Sequence, residues 1–445
     1  MMLQMHALIT RVAAVALLAV LAAPLQAQDV QVIRSPGGIE AWVVESPGIP
    51  MLALEIRIPG GASAEPEDQP GVTRFMASLL GEGAGDLDAA AFSARADALA
   101  LRMSVEAGRD AVSVSARMLT ETLDDSLDLL RLALTAPRFD AEAVERVRGG
   151  LSASLRAAQA RPETRADQAW REALYPQDPY GRPSDGTEAS IAALDVAALR
   201  AAQARALHRQ GLAIGVVGDI DAQAVGPLLD RLLGDLPETG PAPLPPAEMS
   251  ADRGVQVVAH DAPQSLIRMV ADGVARDDPD FIPAFVANHI LGGGGFTSRL
   301  TREVRERRGL TYGVFSYLAM PDRGPLLVAG LATDNARAAE ALALVRAEMS
   351  RMRDAGADAE ELAAAQRYLT GAWPLRFDSN AKIAAQLAGL MSVGESPDYL
   401  TRRNDLVNAV TLEDVARAAR RLFDPDRFHV VVVGRPEGLE ATPSN

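Results

Sequence analysis

A proline-rich run, Pro237 to Met249, cuts this chain of 445 residues into two stretches that read alike. Proline removes backbone donors and stiffens the chain, so the run predicts an extended linker between folded units. On each side the order is the same: strands, a helix, a strand pair, several helices and one last strand. The closing strands share a phrase, Ile214-Gly-Val-Val-Gly-Asp in the first half and Val430-Val-Val-Val-Gly-Arg in the second. At ~150 residues per domain the length allows two or three domains. The repeat selects two, which predicts an α+β fold of two homologous domains forming a clamshell, each an antiparallel sheet with helices packed on it. The predicted divisions are residues 1–27 as a leader, 28–236 and 255–436 as the domains, 237–254 as the linker and 437–445 as a tail.

Within the first half, Leu52, Leu54, Ile56 and Ile58 alternate, as a strand with one buried face does. From about Gly71 the apolar residues Val72, Phe75, Met76, Leu79 and Leu80 recur at helical spacing. Arg74, Ala77 and Ser78 fall on the other face of that helix. In the second half four glycines, Gly292, Gly293, Gly294 and Gly295, lead into Phe296, Leu300 and Val304, whose spacing predicts a helix with one apolar face. Gly309 stands where that helix would stop, and Tyr312 and Val314 open the next strand. The turn between helix and strand would bring Arg305 and Tyr312 to one place. An arginine and a tyrosine so held bind a peptide carbonyl, or the negative charge that develops on it. Plainer readings stay open. Arg302, Arg307 and Arg308 make Arg305 one of a cationic helix end, which the helix dipole favours. Tyr312 also reads as an ordinary strand aromatic, and the glycines as a flexible turn. No Gly-Lys-Ser/Thr follows them, so they are not a phosphate loop.

The net charge of −15 argues against a nucleic-acid partner. The absence of cysteine excludes disulfides and thiolate-bound metals. Arg11, the apolar run Val12 to Ala23 and the small residue Ala27 have the layout of a cleaved export signal. The run is short for a membrane span, so the expectation is cleavage near Ala27 and an exported product without a stable membrane anchor, periplasmic in a bacterium. The five histidines, His6, His208, His260, His289 and His429, are isolated in sequence, and none has a second histidine within helical reach.

Three segments carry a resemblance to a known family. They are Pro70-Gly71-Val-Thr-Arg-Phe-Met-Ala-Ser-Leu-Leu-Gly-Glu-Gly83, Pro179-Tyr-Gly-Arg-Pro183 with Gly186-Thr187, and Leu291-Gly-Gly-Gly-Gly295 through Tyr312. From Val32 to Gly434 the chain resembles the pitrilysin (insulinase) zinc metallopeptidases, especially the small bacterial and mitochondrial-processing-peptidase type. The most specific part is the Arg–Tyr pair, seven residues apart in that family and seven apart here. Active members carry H-x-x-E-H on the first long helix, two histidines on one face for zinc and a glutamate as general base. The matching positions here are Arg74, Ala77 and Ser78, and the place of the further glutamate ligand looks like Ser154. The resemblance therefore implies a chain that binds no zinc and hydrolyses nothing alone.

Some members of this family work as heterodimers in which the subunit without the zinc motif keeps the Arg–Tyr pair. By that resemblance the partner would be an H-x-x-E-H-containing subunit, and would hold the zinc. This chain would supply Tyr312 and Arg305 to the composite site, with Gly292 to Gly295 touching an unfolded peptide substrate. Two alternatives stand beside it: a pseudo-peptidase scaffold of a larger complex, and a homodimeric peptide-binding chaperone.

Overall fold

The computed structural model describes residues 29–251 and 253–441. The expected signal, its cleavage point at Ala27 and His6 lie outside the described residues. Among the described residues no helix is long and apolar enough to cross a membrane.

Two sheets form, one from each half. The first contains β1 (Gln31–Arg34), β2 (Glu40–Glu45), β3 (Met51–Pro59), β4 (Arg102–Ala107), β5 (Ala111–Leu119) and β6 (Ala213–Gly218), in the order β1-β2-β6-β3-β5-β4. The second contains β7 (Val255–Ala259), β8 (Gln264–Asp272), β9 (Val314–Ala319), β10 (Leu326–Asp334) and β11 (His429–Gly434), in the order β7-β11-β8-β10-β9. With β1 set aside, the two orders are the same. The duplication is thus present in the strand pairing itself. One detail differs from the expected antiparallel sheets. β2 runs parallel to β6, and β7 runs parallel to β11. The closing strand of each half returns through helices, a long enough crossover to bring it back beside the opening strand in the same direction.

One face of each sheet packs on helices of its own half. Leu52, Leu54, Ile56 and Ile58 of β3 meet Phe75, Met76 and Leu79 of the Val72–Leu79 helix in the first core. Ile267 and Met269 of β8 meet Val345 and Met349 of the Ala338–Ala355 helix in the second. The opposite faces are covered by an exchange. The Pro162–Leu174 helix, from the first half, lays Ala166, Ala169, Trp170 and Leu174 on Val270, Val328, Val431 and Val433 of the second sheet. The Asn380–Ser392 helix, from the second half, lays Ile383, Ala384, Leu387 and Leu390 on Trp42, Val44, Ala53 and Val217 of the first. β6 and β11 are therefore buried along their whole length, which is why both read as unbroken apolar runs. Gly215 marks the contact, since a Cβ there would meet the Ala384 carbonyl oxygen at 2.1 Å.

Polar contacts close the same joint. Arg323, in the turn between β9 and β10, forks onto Asp178 at 2.7 and 2.6 Å and donates to the Pro245 carbonyl at 2.8 Å. The Arg323 N–H donates to the Tyr180 hydroxyl (2.9 Å), which donates to Asp110 (2.8 Å). The Pro179-Tyr-Gly-Arg-Pro183 segment is thus part of the joint. The run Pro237 to Met249 forms neither helix nor strand, and it is tied down. Ala247 N–H donates to the Arg323 carbonyl and Ser250 N–H to the Leu174 carbonyl, both at 2.7 Å.

Candidate functional site

The Phe281–Asn288 helix widens into a π-helical turn over His289–Gly293 as it meets β9. Asn288 is buried there, donating to the Ser316 carbonyl at 3.2 Å and accepting from the Ser316 hydroxyl at 2.7 Å. This contact caps the open edge of β9 at that point. It also explains the glycines. A Cβ on Gly292 would meet Ser316 Oγ at 2.4 Å, and one on Gly294 would meet the His289 carbonyl at 2.8 Å. Gly295 takes a left-handed conformation, φ +57°, with open space around it. The loop is a tight joint first. Gly292 is buried, while Gly293 and Gly295 are exposed.

That left-handed turn changes the expected helix. Phe296 follows it and precedes the helix, in a 3₁₀ turn over Gly295–Thr297, and is 68% exposed. Leu300 and Val304 are buried as predicted. The helix passes into a second π-helical segment, Thr301–Glu306, and ends at Gly309, whose φ is +59°. π-helical turns inside helices gather at functional sites. Of the arginines here, Arg299 and Arg302 bind Glu361, and Arg307 and Arg308 bind Glu303. Arg305 alone of the five makes no ion pair among the described residues. Its guanidinium stacks on the exposed Phe296 ring, 4.7 Å from the centroid.

Tyr312 is not in the strand, which begins at Val314. It stands in the connection from helix to strand, and that connection is fixed on both sides. Thr311 Oγ1 donates to the Ala332 carbonyl at 2.6 Å and accepts from the Gly313 N–H at 3.1 Å. Thr333 Oγ1 donates to the Leu310 carbonyl at 2.6 Å. Between these anchors the Tyr312 side chain is 88% exposed. No hydrogen bond or ring contact joins it to Arg305 among the described residues. Beyond it Phe315 and Tyr317 stack, centroids 5.8 Å apart, on the exposed face of β9. Alternation along β9 carries the signal for that pair in the sequence.

The positions that the resemblance assigns to a lost zinc motif fall on two packed helices, Val72–Leu79 and Ala141–Gln159. Arg148 of the Ala141–Gln159 helix lies over the Phe75 ring at 5.1 Å. Arg74 pairs with Asp185 at 3.1 Å, Ala77 is buried, and Ser78 is exposed and donates to the Arg74 carbonyl at 2.9 Å. Ser154 is exposed on the second helix. A cation, a methyl group and two hydroxyls do not fit a zinc ion, which needs imidazole, thiolate or carboxylate donors. The described histidines lie apart, each engaged elsewhere. His289 stacks on Tyr368, with burial pushing its pKa down, and His208 bonds the Pro59 carbonyl. Gly71 and Gly186, from two of the motif segments, meet backbone to backbone. A Cβ on Gly71 would lie 2.7 Å from Gly186 Cα.

Two family profiles match the chain: Insulinase (Peptidase family M16) over residues 43–188, and Peptidase M16 inactive domain over residues 193–369. The second begins ahead of β6, a strand that pairs into the first sheet. The non-peptidase homolog YmxG of Helicobacter pylori is 25% identical over 340 residues, 76% of this chain and 78% of that one. The uncharacterized zinc protease SCO5738 of Streptomyces coelicolor is 25% identical over 398 residues, 86% of this chain and 85% of that one. The crystal structure of a peptidase M16 inactive domain from Pseudomonas fluorescens superposes with a TM-score of 0.84 at 27% identity, covering 93% of this chain and 100% of that one. A Helicobacter pylori protease superposes with a TM-score of 0.82 at 15% identity, covering 92% and 99%, a likeness of fold. Fold, duplicated topology and both profiles agree: the chain belongs to the M16 (insulinase) peptidase family.

Proposed function

We propose that this chain is a non-catalytic M16 subunit, exported to the periplasm, that completes the active site of an H-x-x-E-H partner. The reading rests on one observation above the others. Tyr312 is almost wholly exposed on a connection that three threonine hydrogen bonds hold still. A lone exposed tyrosine on a mobile loop would need no such anchoring. Arg305 supports it, being left without a carboxylate where four neighbouring arginines have one.

In this role the partner holds zinc, and this chain's own residues bind and orient. Tyr312 hydroxyl donates to the scissile carbonyl as negative charge builds on its oxygen. Arg305, kept in place by Phe296, holds a second carbonyl or a carboxylate of the peptide. The rings of Phe315 and Tyr317 offer an apolar ledge beside it. Such a preorganised donor contributes about 10²–10³ in rate.

The test is bound zinc and peptidase activity of the purified mature chain, alone and mixed with an H-x-x-E-H homologue from the same organism. Activity confined to the mixture, with zinc in the partner, is expected. Zinc and turnover in this chain alone would overturn the reading. A stable but inactive mixture would favour the scaffold.

A further inference from the structure

A second feature lies away from Tyr312, where the Asn380–Ser392 helix leaves the second half to cover the first sheet. A groove of about 250 Å³ opens there, walled by Phe281, Phe285, Trp373 and Tyr399 with Leu318 and Leu390. Three arginines line it. Arg276 lies over the rings of Phe281 and Tyr399 at 4.4 and 4.6 Å. Arg403, 5% exposed, lies over Trp373 at 4.7 Å and Phe285 at 5.6 Å. Arg376 lies over Trp373 from the open side at 5.8 Å.

Their charge is not balanced. Arg276 pairs with Glu395 at 2.8 Å. Arg403 has the Leu369 carbonyl, the Asn404 side-chain oxygen and the Tyr399 hydroxyl, none of them a carboxylate. The Arg376 side chain makes no ion pair or hydrogen bond among the described residues. Burial lowers the pKa of Arg403, and Arg376 and Arg276 add to that, while the neighbouring Tyr399 hydroxyl works against it. Three guanidiniums therefore share one carboxylate in a chain whose net charge is −15. Stacked guanidiniums keep their in-plane N–H groups free, and a planar fork of that kind matches a carboxylate.

We infer that this groove binds the C-terminal carboxylate of a peptide whose last residue is aromatic or aliphatic. The carboxylate would take the edge of Arg376 with Arg403 behind it, and the last side chain would enter between Trp373 and Phe285. The size of the groove sets the ligand. It is below the ~300–1,000 Å³ of sites that enclose a whole small molecule, so it suits one residue and not a long acyl chain. The site needs neither zinc nor a partner subunit, so it stands or falls apart from the role of Tyr312.

Trp373 reports on it directly, because Trp42 and Trp170 are buried in the two helix-exchange contacts. The mature chain is titrated with a Gly/Ser peptide ending in phenylalanine, as the free acid and as the amide, and separately with dodecanoate. Saturable quenching by the free acid is expected, with the amide at least tenfold weaker. Arg376→Gln, which breaks no ion pair or hydrogen bond and gives up only the contact over Trp373, should weaken the free acid about tenfold and leave the amide unchanged. Equal affinity for acid and amide, no response to either, or an unaffected Arg376→Gln variant would overturn the proposal. Dodecanoate binding more tightly than the peptide would overturn the peptide as ligand.

Discussion

At the scale of residues, the side chains left without an internal task are the ones free to meet a substrate. Arg305 and Tyr312 are two such groups, and Phe296 holds the first. Arg305→Ala should raise KM for peptide in the assembled complex several-fold with a smaller effect on kcat. A KM unchanged in a full substrate titration would remove Arg305 from substrate binding. Phe296→Ala should give a milder form of the same defect, since an exposed cation–π contact contributes about 0.5–1 kcal/mol. The sequence singled out Arg305 and Tyr312 through the seven-residue spacing that the family resemblance supplies. What sets Arg305 apart from its neighbours was not visible there, because Glu361 lies far along the chain from Arg299 and Arg302. Phe296 was misassigned for a local reason. Its spacing to Leu300 is helical, but the left-handed Gly295 turns the chain before the helix starts.

At the scale of elements, the helix exchange organises the molecule. Gly215→Ala would drive a methyl group into the Ala384 carbonyl, so the Asn380–Ser392 helix or β6 must shift. Overpacking of this kind costs about 1–3 kcal/mol. A lower thermal midpoint is expected, and a variant as stable as the parent would show that the helix and β6 do not pack this closely. Strands, helices and their duplication were legible from alternation and helical spacing. The continuous run Val430 to Val433 also signalled a strand covered on both faces. Nothing local in Pro162–Leu174 or Asn380–Ser392 says which sheet each helix will cover. That choice is made by surfaces about a hundred residues or more away along the chain.

At the scale of the whole molecule, the halves are joined by more than their linker. A protease site inserted between Ala242 and Pro243 and then cut should leave both halves in one native particle, because Trp170, Leu174 and Leu387 stay buried across the joint. Separation on size-exclusion chromatography would contradict this. The joint should also respond to acid. Burial opposes the Asp178 charge, but the Arg323 fork and the Tyr180 N–H outweigh it and hold its pKa below the usual 3.8. A lowered folded pKa stabilises above that value, and the benefit is lost as pH falls through it. Asp322, with its pKa raised by burial, has the opposite sign, so the informative quantity is the difference between the parent and Asp178→Asn. That difference in thermal midpoint should be full at pH 7 and shrink below about pH 4. A difference independent of pH would remove the Asp178 charge from the joint. The central claim, that this chain lends a donor to another subunit's chemistry, is met most directly by kcat of the mixed complex carrying Tyr312→Phe, with assembly checked on the same sample. The expected result is an intact complex whose kcat falls about 10²-fold. An intact complex with full turnover would contradict the claim.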